Sequence, residues 1–356
     1  MPSRRHLLKL AGAVPVFGAG GLALWSGARA NAYYRGPTSD HFDGVCFFNP
    51  GGVRPRGPGA FLKWQFGERG EAWPASFPSP FSPDRPPPRF AGEGVRVAFI
   101  GHASFLLQMR GMSILVDPVW SDRASPVAFA GPLRVNAPGI AFEHLPSIDA
   151  VLVTHNHYDH MDLPTIRRLW KSFSPRLITP LGNDAIIRRA MPGVAVEAVD
   201  WGETVDLGAG VRVHAEPSAH WSARGIGDRM HALWASFVVE AGGQKIYCVG
   251  DTGFGDGAIF RRVRARHPSL VLALLPIGAY EPRWFMRNQH MNPEEAVEAF
   301  VLSGAAQALG HHWGTFRLTN EGVERPAQEL GAALARRALP PARFSALRPG
   351  EVRILN

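Results

Sequence analysis

Cysteine is nearly absent from this chain. Two residues, Cys46 and Cys248, in 356 do not make a disulfide framework, which excludes the small cross-linked secreted class. Cys248 sits in the apolar run KIYCVGD and reads as a buried thiol. Charged residues are also sparse, 19% against 46% hydrophobic. That balance excludes a disordered polar chain and supplies enough apolar side chains for a large core. No dense Lys/Arg run with interleaved aromatics occurs, so no nucleic-acid partner is expected. The net charge of +8 does not change this, because Arg4, Arg5, Lys9 and Arg29 lie among the first thirty residues with no acid beside them. The 38 basic residues of the chain, less these, face 30 acidic ones, a weak excess for any anionic partner. There is no internal repeat of fixed period.

What is present begins with an address. SRRHLLKL carries a twin-arginine pattern, an apolar stretch follows, and Ala28-Arg29-Ala30 fits a small-x-small cleavage site. A twin-arginine signal peptide over residues 1–30 and a bacterial periplasmic location are expected. The alternative is an inner-membrane protein anchored by an uncleaved N-terminus. Residues 31–94 are rich in proline and aromatics and show neither helical nor strand period. Disordered linkers are poor in Phe and Trp, so this stretch reads as an arm packed on the main domain. Residues 95–356 are expected to form the main domain.

From residue 95 the punctuation is regular. VRVAFIGHASFLLQM, SILVDPV, AVLVTH, RLITP, VAVEAV, ETVDL and VRVHAEP read as strands. LWASFVVEAGGQKIYCVGDTG reads as a hairpin around Gly242-Gly243. LVLALLPIG, AQALGHH and EVRIL add further strands. Helices are expected over DLPTIRRLWKSF, NDAIIRRAM, AIFRRVRARH, PEEAVEAFVLSG and RPAQELGAALARRA. Strand runs mixed with helices give an α/β fold of sheets covered by helices.

The chemistry concentrates in VTHNHYDHMD. His155 and His157 stand two apart where a strand ends, so in extended chain they share a face and can grip one ion. Asp159 and His160 follow at the turn and can face a second ion. Imidazole and carboxylate without thiolate suit zinc, with iron or manganese as alternatives. One cluster does not close two coordination shells, and the chain returns with more donors at strand ends. AEPSAHW gives His220, YCVGDTG gives Asp251, and ALGHHWGTF gives His311 and His312. A carboxylate has two oxygens, which suits Asp251 to bridge two cations. His102 in IGHASF reads as a residue that orients a metal ligand by hydrogen bonding. In YEPRWFM, Tyr280 and Arg283 put a cation inside an aromatic patch, which suits a lipid-facing rim; core packing is the competing reading for the aromatics.

HNHYDHMD, the strand-end His220, GDTG and the final His312 resemble the H-x-H-x-D-H pattern of the metallo-β-lactamase superfamily. GHASFLL, DPVWSDRASPVAFAGPLR, PIGAYEPRWFMRNQHMNPEEAV and HHWGTFRLTNE resemble, within it, the N-acylphosphatidylethanolamine-hydrolysing phospholipase D family, from about residue 45 to the C-terminus. The resemblance implies an αββα four-layer sandwich, two zinc ions per chain and phosphodiester hydrolysis. It assigns His155, His157 and His220 to one zinc, Asp159, His160 and His312 to the other, and Asp251 to both. His311 is then left behind the site. Asp159 and Asp251 are the expected catalytic residues, and His290 a contact to phosphate or head group, the alternative being a polar residue before the helix cap Asn292. The leader departs from the animal members, as does SPVAFAGP, whose Val127, Ala128 and Phe129 replace polar residues. The expected reaction is cleavage of (N-acyl)phosphatidylethanolamine-like lipids at a membrane surface, releasing phosphatidic acid and the (N-acyl) head-group alcohol. A lactonase or other metal-dependent hydrolase is the alternative, and a non-catalytic binding protein ranks below both. A homodimer is compatible with this reading.

Overall fold

The computed structural model describes residues 30–355 apart from Glu68 and Ile226. The signal peptide expected over 1–30 lies outside the described residues except for Ala30.

The strands, in chain order, are β1 (Val95–Gly101), β2 (Ser104–Met109), β3 (Met112–Val116), β4 (Ala150–Leu152), β5 (Arg176–Pro180) and β6 (Val196–Val199). Then come β7 (Thr204–Gly208), β8 (Val211–Glu216), β9 (Ser236–Ala241), β10 (Gln244–Cys248), β11 (Leu272–Pro276), β12 (Gln307–His311), β13 (Phe344–Ala346) and β14 (Val352–Leu355). They build two seven-stranded sheets, ordered β14-β1-β2-β3-β4-β5-β6 and β13-β12-β11-β10-β9-β8-β7. The helices are α1 (Pro58–Phe66), α2 (Leu163–Phe173), α3 (Asn183–Ala190), α4 (Ala258–Arg266), α5 (Arg283–Met286), α6 (Pro293–Ser303) and α7 (Arg325–Arg336).

Both faces of each sheet are apolar, which forces four layers. Phe99, Phe105 and Leu107 of the first sheet meet Phe237, Val239 and Leu274 of the second in one buried cluster. The outer face of the first sheet, with Leu106, Leu115 and Val151, is covered by Ile166 and Leu169 of α2 and Ile187 of α3. The outer face of the second, with Tyr247, Ala273 and Leu275, is covered by Phe260 of α4, Phe300 of α6 and Leu334 of α7. This is the αββα sandwich. The Cys248 thiol is free and buried in the inter-sheet core.

In each sheet the pairing changes from antiparallel to parallel partway across, at β3–β4 in the first and at β10–β11 in the second. Parallel strands leave their connecting loops together at one edge, and those loops build the site. The hairpin β9–β10 turns through Gly242 and Gly243, both at positive φ, as the paired glycines require. Asp162 caps α2 by accepting from Thr165, with Pro164 in the first turn. The same carboxylate accepts from the backbone of Trp120 and Ser121, so it holds the neighbouring loop and faces away from metal chemistry.

The arm lies on the domain. Phe42 and Phe47 pack with Leu233 and Trp234, Trp64 donates to Asn320, and Trp73 donates to the Glu321 carbonyl. The expectation of no helical period in this stretch is corrected by α1. Its sequence PGAFLKWQF has aromatics on more than one side, and its start is set by Gly57 and Pro58 rather than by a polar cap. The short elements α5 and β13 were also not expected from periodicity, because too few residues are available to show one.

Candidate metal centre

The loop after β4 carries His155, His157, Asp159 and His160; loops after β8, β10 and β12 carry His220, Asp251 and His312. All seven come together. His155, His157, His220 and Asp251 place donor atoms within 4.8 Å of one another, and so do His102, Asp159, His160 and His312. A third group, Asp251, His290 and His312, meets the same criterion. Asp251 sits at the centre: its Oδ2 lies 3.1 Å from His312 Nε2, 3.3 Å from His160 Nε2, 3.7 Å from His220 Nε2 and 3.9 Å from His155 Nε2.

The outer hydrogen bonds fix which imidazole nitrogen is free. Thr154 gives its one hydroxyl proton to Asp117 Oδ2, so its oxygen accepts from His155 Nδ1 at 3.0 Å. His160 Nδ1 donates to Asp117 Oδ2 at 2.7 Å, and His220 Nδ1 donates to the Gln289 carbonyl at 3.0 Å. When neutral, all three rings therefore present Nε2 lone pairs to the Asp251 carboxylate. Lone pairs facing a carboxylate repel unless positive charge lies between them. Among the described residues, His157 Nε2, His160 Nε2, His312 Nε2 and Asp251 Oδ1 are buried with no hydrogen-bond partner. This donor set fits divalent cations.

The electrostatics divide the rings. Burial depresses His155 and His220 well below the usual histidine range and His157 to about 4, so these rings stay neutral and able to ligate. Burial also opposes charge on His160 and His312, but Asp251 and Asp159 outweigh it and lift His160 well above its ordinary value and His312 to about 9. Burial would likewise raise Asp251, yet His312, His160 and His290 hold its carboxyl well below the carboxylate range. Taking two carboxylates out of water costs on the order of several kcal/mol each, so the centre demands compensating positive charge.

His102 Nε2 lies 2.8 Å from Asp159 Oδ2. His102, Asp117 and His312 all adopt positive φ, at 56, 41 and 65°, strained positions for side chains that cluster where function requires them. Gly278 allows the close approach, because a Cβ there would overlap the His312 carbonyl. His311 is buried on β12 with its ring edge toward Phe105, behind the site. The turn at Asp251 also joins two loops: Thr252 accepts from Ala219 and, through its carbonyl, from Met291.

Two expected substrate contacts are corrected. Arg283 makes a bidentate pair with Glu295 and donates to the His290 carbonyl at 2.9 Å, so it braces the loop rather than facing substrate. Tyr280 is 1% exposed, and burial together with Glu329 of α7 raises its phenol, so it points into the protein. His290, by contrast, lies at the site, its Nδ1 3.8 Å from Asp251 Oδ2. Sequence reasoning missed Asp117. It ends the strand-like run SILVD as Asp251 ends YCVGD, and that shared strand-end signal marks it.

Fold and site together define a metal-dependent hydrolase, and the chain belongs to the metallo-β-lactamase superfamily; the Beta-lactamase superfamily domain matches residues 112–313. The chain is similar to N-acyl-phosphatidylethanolamine-hydrolyzing phospholipase D 1 of Caenorhabditis elegans, 36% identical over 270 residues, covering 73% of this chain and 75% of that one. An uncharacterized protein of Mycobacterium tuberculosis is 37% identical over 265 residues, covering 73% and 70%. Among solved structures, a metallo hydrolase from the archaeon Ignicoccus hospitalis shares the fold, with a TM-score of 0.53 and 19% identity over 74% of this chain and 98% of that one.

Proposed function

We propose that the chain is a binuclear phosphodiesterase of phospholipase D type. It hydrolyses (N-acyl)phosphatidylethanolamine-like glycerophospholipids to phosphatidic acid and the (N-acyl) head-group alcohol. The observation that carries this reading is two four-residue donor groups packed around Asp251, whose Oδ2 lies 3.1 and 3.3 Å from His312 and His160 of one and 3.7 and 3.9 Å from His220 and His155 of the other, in a chain 36% identical to a relative named for that reaction.

His155, His157 and His220 would hold one zinc, Asp159, His160 and His312 the other, and Asp251 both. Two such cations, when bound, polarise phosphoryl oxygens and bring the pKa of water toward neutrality. The protein supplies the orientation. Asp117 and the Gln289 carbonyl fix imidazole tautomers, and His102 holds Asp159 in place. His290 faces the same space with a buried, unpartnered Nδ1, placed to hydrogen-bond a phosphoryl oxygen or the head group.

A phospholipid surface is the partner this reading requires. Arg56 and Lys63 lie over the ring of Trp284 on α5, and α1 exposes Leu62 and Phe66 beside them. Apolar side chains flanked by cations suit a bilayer interface. Among the described residues no helix is long and apolar enough to cross a membrane. A periplasmic site of action, reached through the twin-arginine leader, belongs to the same proposal.

The test is a product screen. Zinc-loaded protein is incubated with vesicles of N-acylphosphatidylethanolamine or phosphatidylethanolamine, and separately with a lactone panel. Release of phosphatidic acid supports the proposal. Lactone turnover without phosphodiester cleavage replaces it with the lactonase.

A further inference from the structure

Arg224 lies four residues beyond His220, in a stretch with no motif. Its Nη1 donates to the carbonyls of Asn156 and Met161, at 2.8 and 2.9 Å. Those carbonyls bracket the turn that carries His157, Asp159 and His160. The guanidinium also lies 3.9 Å from the centre of the Tyr158 ring, and the Tyr158 hydroxyl donates to the Arg224 carbonyl at 2.8 Å. The grip is therefore reciprocal: side chain to backbone in each direction, with a cation–π contact between. It links the loop bearing His220 to the loop bearing the other histidines.

Arg224 is held in turn. Asp228, 8% exposed, accepts from the backbone N–H of Arg224 at 3.1 Å and of Gly225 at 2.8 Å. The remaining demand on that carboxylate comes from the arm, because the Tyr33 hydroxyl donates to Asp228 Oδ2. Tyr33 is itself seated. Asn31 accepts from its backbone N–H at 2.7 Å and donates to the His231 carbonyl at 2.9 Å, and Ala32 N–H donates to His231 Nδ1 at 3.1 Å.

We propose that Arg224 is a positioning residue for the metal centre, and that Tyr33 of the arm, acting through Asp228, sets its place. The arm is then part of the apparatus that shapes metal affinity, although it supplies no ligand. This rests on the metal reading above. An arginine suits the role because its planar fork serves two carbonyls from one nitrogen while its face stays on the Tyr158 ring; a lysine ammonium lacks that planar face.

The experiment measures zinc affinity of the full chain by competition with a chromophoric chelator, with no lipid present. Arg224→Met is expected to weaken zinc binding about 10–100-fold, as loss of a group that orients ligands does, while the metal-free thermal midpoint moves little. Arg224→Lys recovers part of the loss. Tyr33→Phe, which removes only the hydroxyl, shows a smaller loss in the same direction. Wild-type zinc affinity in Arg224→Met overturns the proposal. If that variant does not fold, wild-type affinity in both Arg224→Lys and Tyr33→Phe overturns it equally. Absence of zinc binding by the wild-type chain overturns the metal reading itself, and is seen before any variant is made.

Discussion

His160 donates its Nδ1 proton to Asp117 Oδ2 across 2.7 Å, entirely out of solvent. That carboxylate also receives the backbone N–H and the hydroxyl of Thr154, so one aspartate sets the tautomer of His160 directly and that of His155 through the threonine.

Replacing Asp117 by Asn leaves one carbonyl oxygen for three donors and brings an NH2 group against them. Zinc affinity and kcat/KM on phospholipid vesicles are each expected to fall about 10–100-fold. Chelator competition reads the first and product release the second; unchanged affinity counts against the tautomer assignment.

Asp251 Oδ2 lies against Nε2 atoms of both four-residue groups, so Asp251→Asn removes negative charge where both cations would need it. Its loss of metal is expected to exceed that of Asp117→Asn, and elemental analysis after dialysis checks the order. Stripping metal from the wild type with a chelator should abolish hydrolysis, and added zinc should restore it. Activity surviving complete removal would contradict the proposed mechanism.

The adjacent histidines separate cleanly. His312 Nε2 reaches both carboxylates, at 3.2 Å from Asp159 and 3.1 Å from Asp251, whereas His311 faces Phe105. His312→Ala is expected to lose a metal and nearly all activity, and His311→Ala to keep the metal and much of the activity. The reverse pattern in metal content and rate would exchange their roles.

Away from the site, His41 joins the arm to the domain. Its Nε2 meets Asp200 at 2.8 Å and its Nδ1 meets Asp40 at 2.6 Å. Burial opposes the charge, but the two carboxylates raise the pKa above 6.5. A raised pKa gives stability that is complete below the unfolded value and lost as pH rises through the folded one. Arm docking should therefore loosen in the pH window above the ordinary histidine value of 6.5, as the raised His41 loses its proton. Proteolysis of the arm should accelerate over that window more in wild type than in His41→Gln; equal acceleration removes His41 from the account.

How much of this was legible depended on whether a residue announces itself locally. The histidines of HNHYDH and the strand-end Asp251 did, because scarce residue types recur at the same point of the pattern. Asp117 carried the same strand-end mark but had no histidine beside it. Arg224 and Asp228 had no mark, since their role is created by contacts with Asn156 and Tyr33, far away along the chain. Arg283 was misplaced for the opposite reason: aromatic neighbours suggested a rim, while its partner Glu295 sits in the first turn of α6. The helix α1 escaped because its aromatic residues do not repeat with the period of a helix.

The two sheets contribute to the centre in halves. His155, His157, Asp159 and His160 follow β4 of the first sheet, and His220, Asp251 and His312 follow β8, β10 and β12 of the second. The group of His155, His157, His220 and Asp251 and the group of His102, Asp159, His160 and His312 each take members from both, whereas Asp251, His290 and His312 all follow strands of the second. Capture of an ion by either four-residue group thus reports the docking of the two layers. The first sheet itself closes only with β14, the last strand of the chain, and an ion seated between the halves would act as a rivet across the layers.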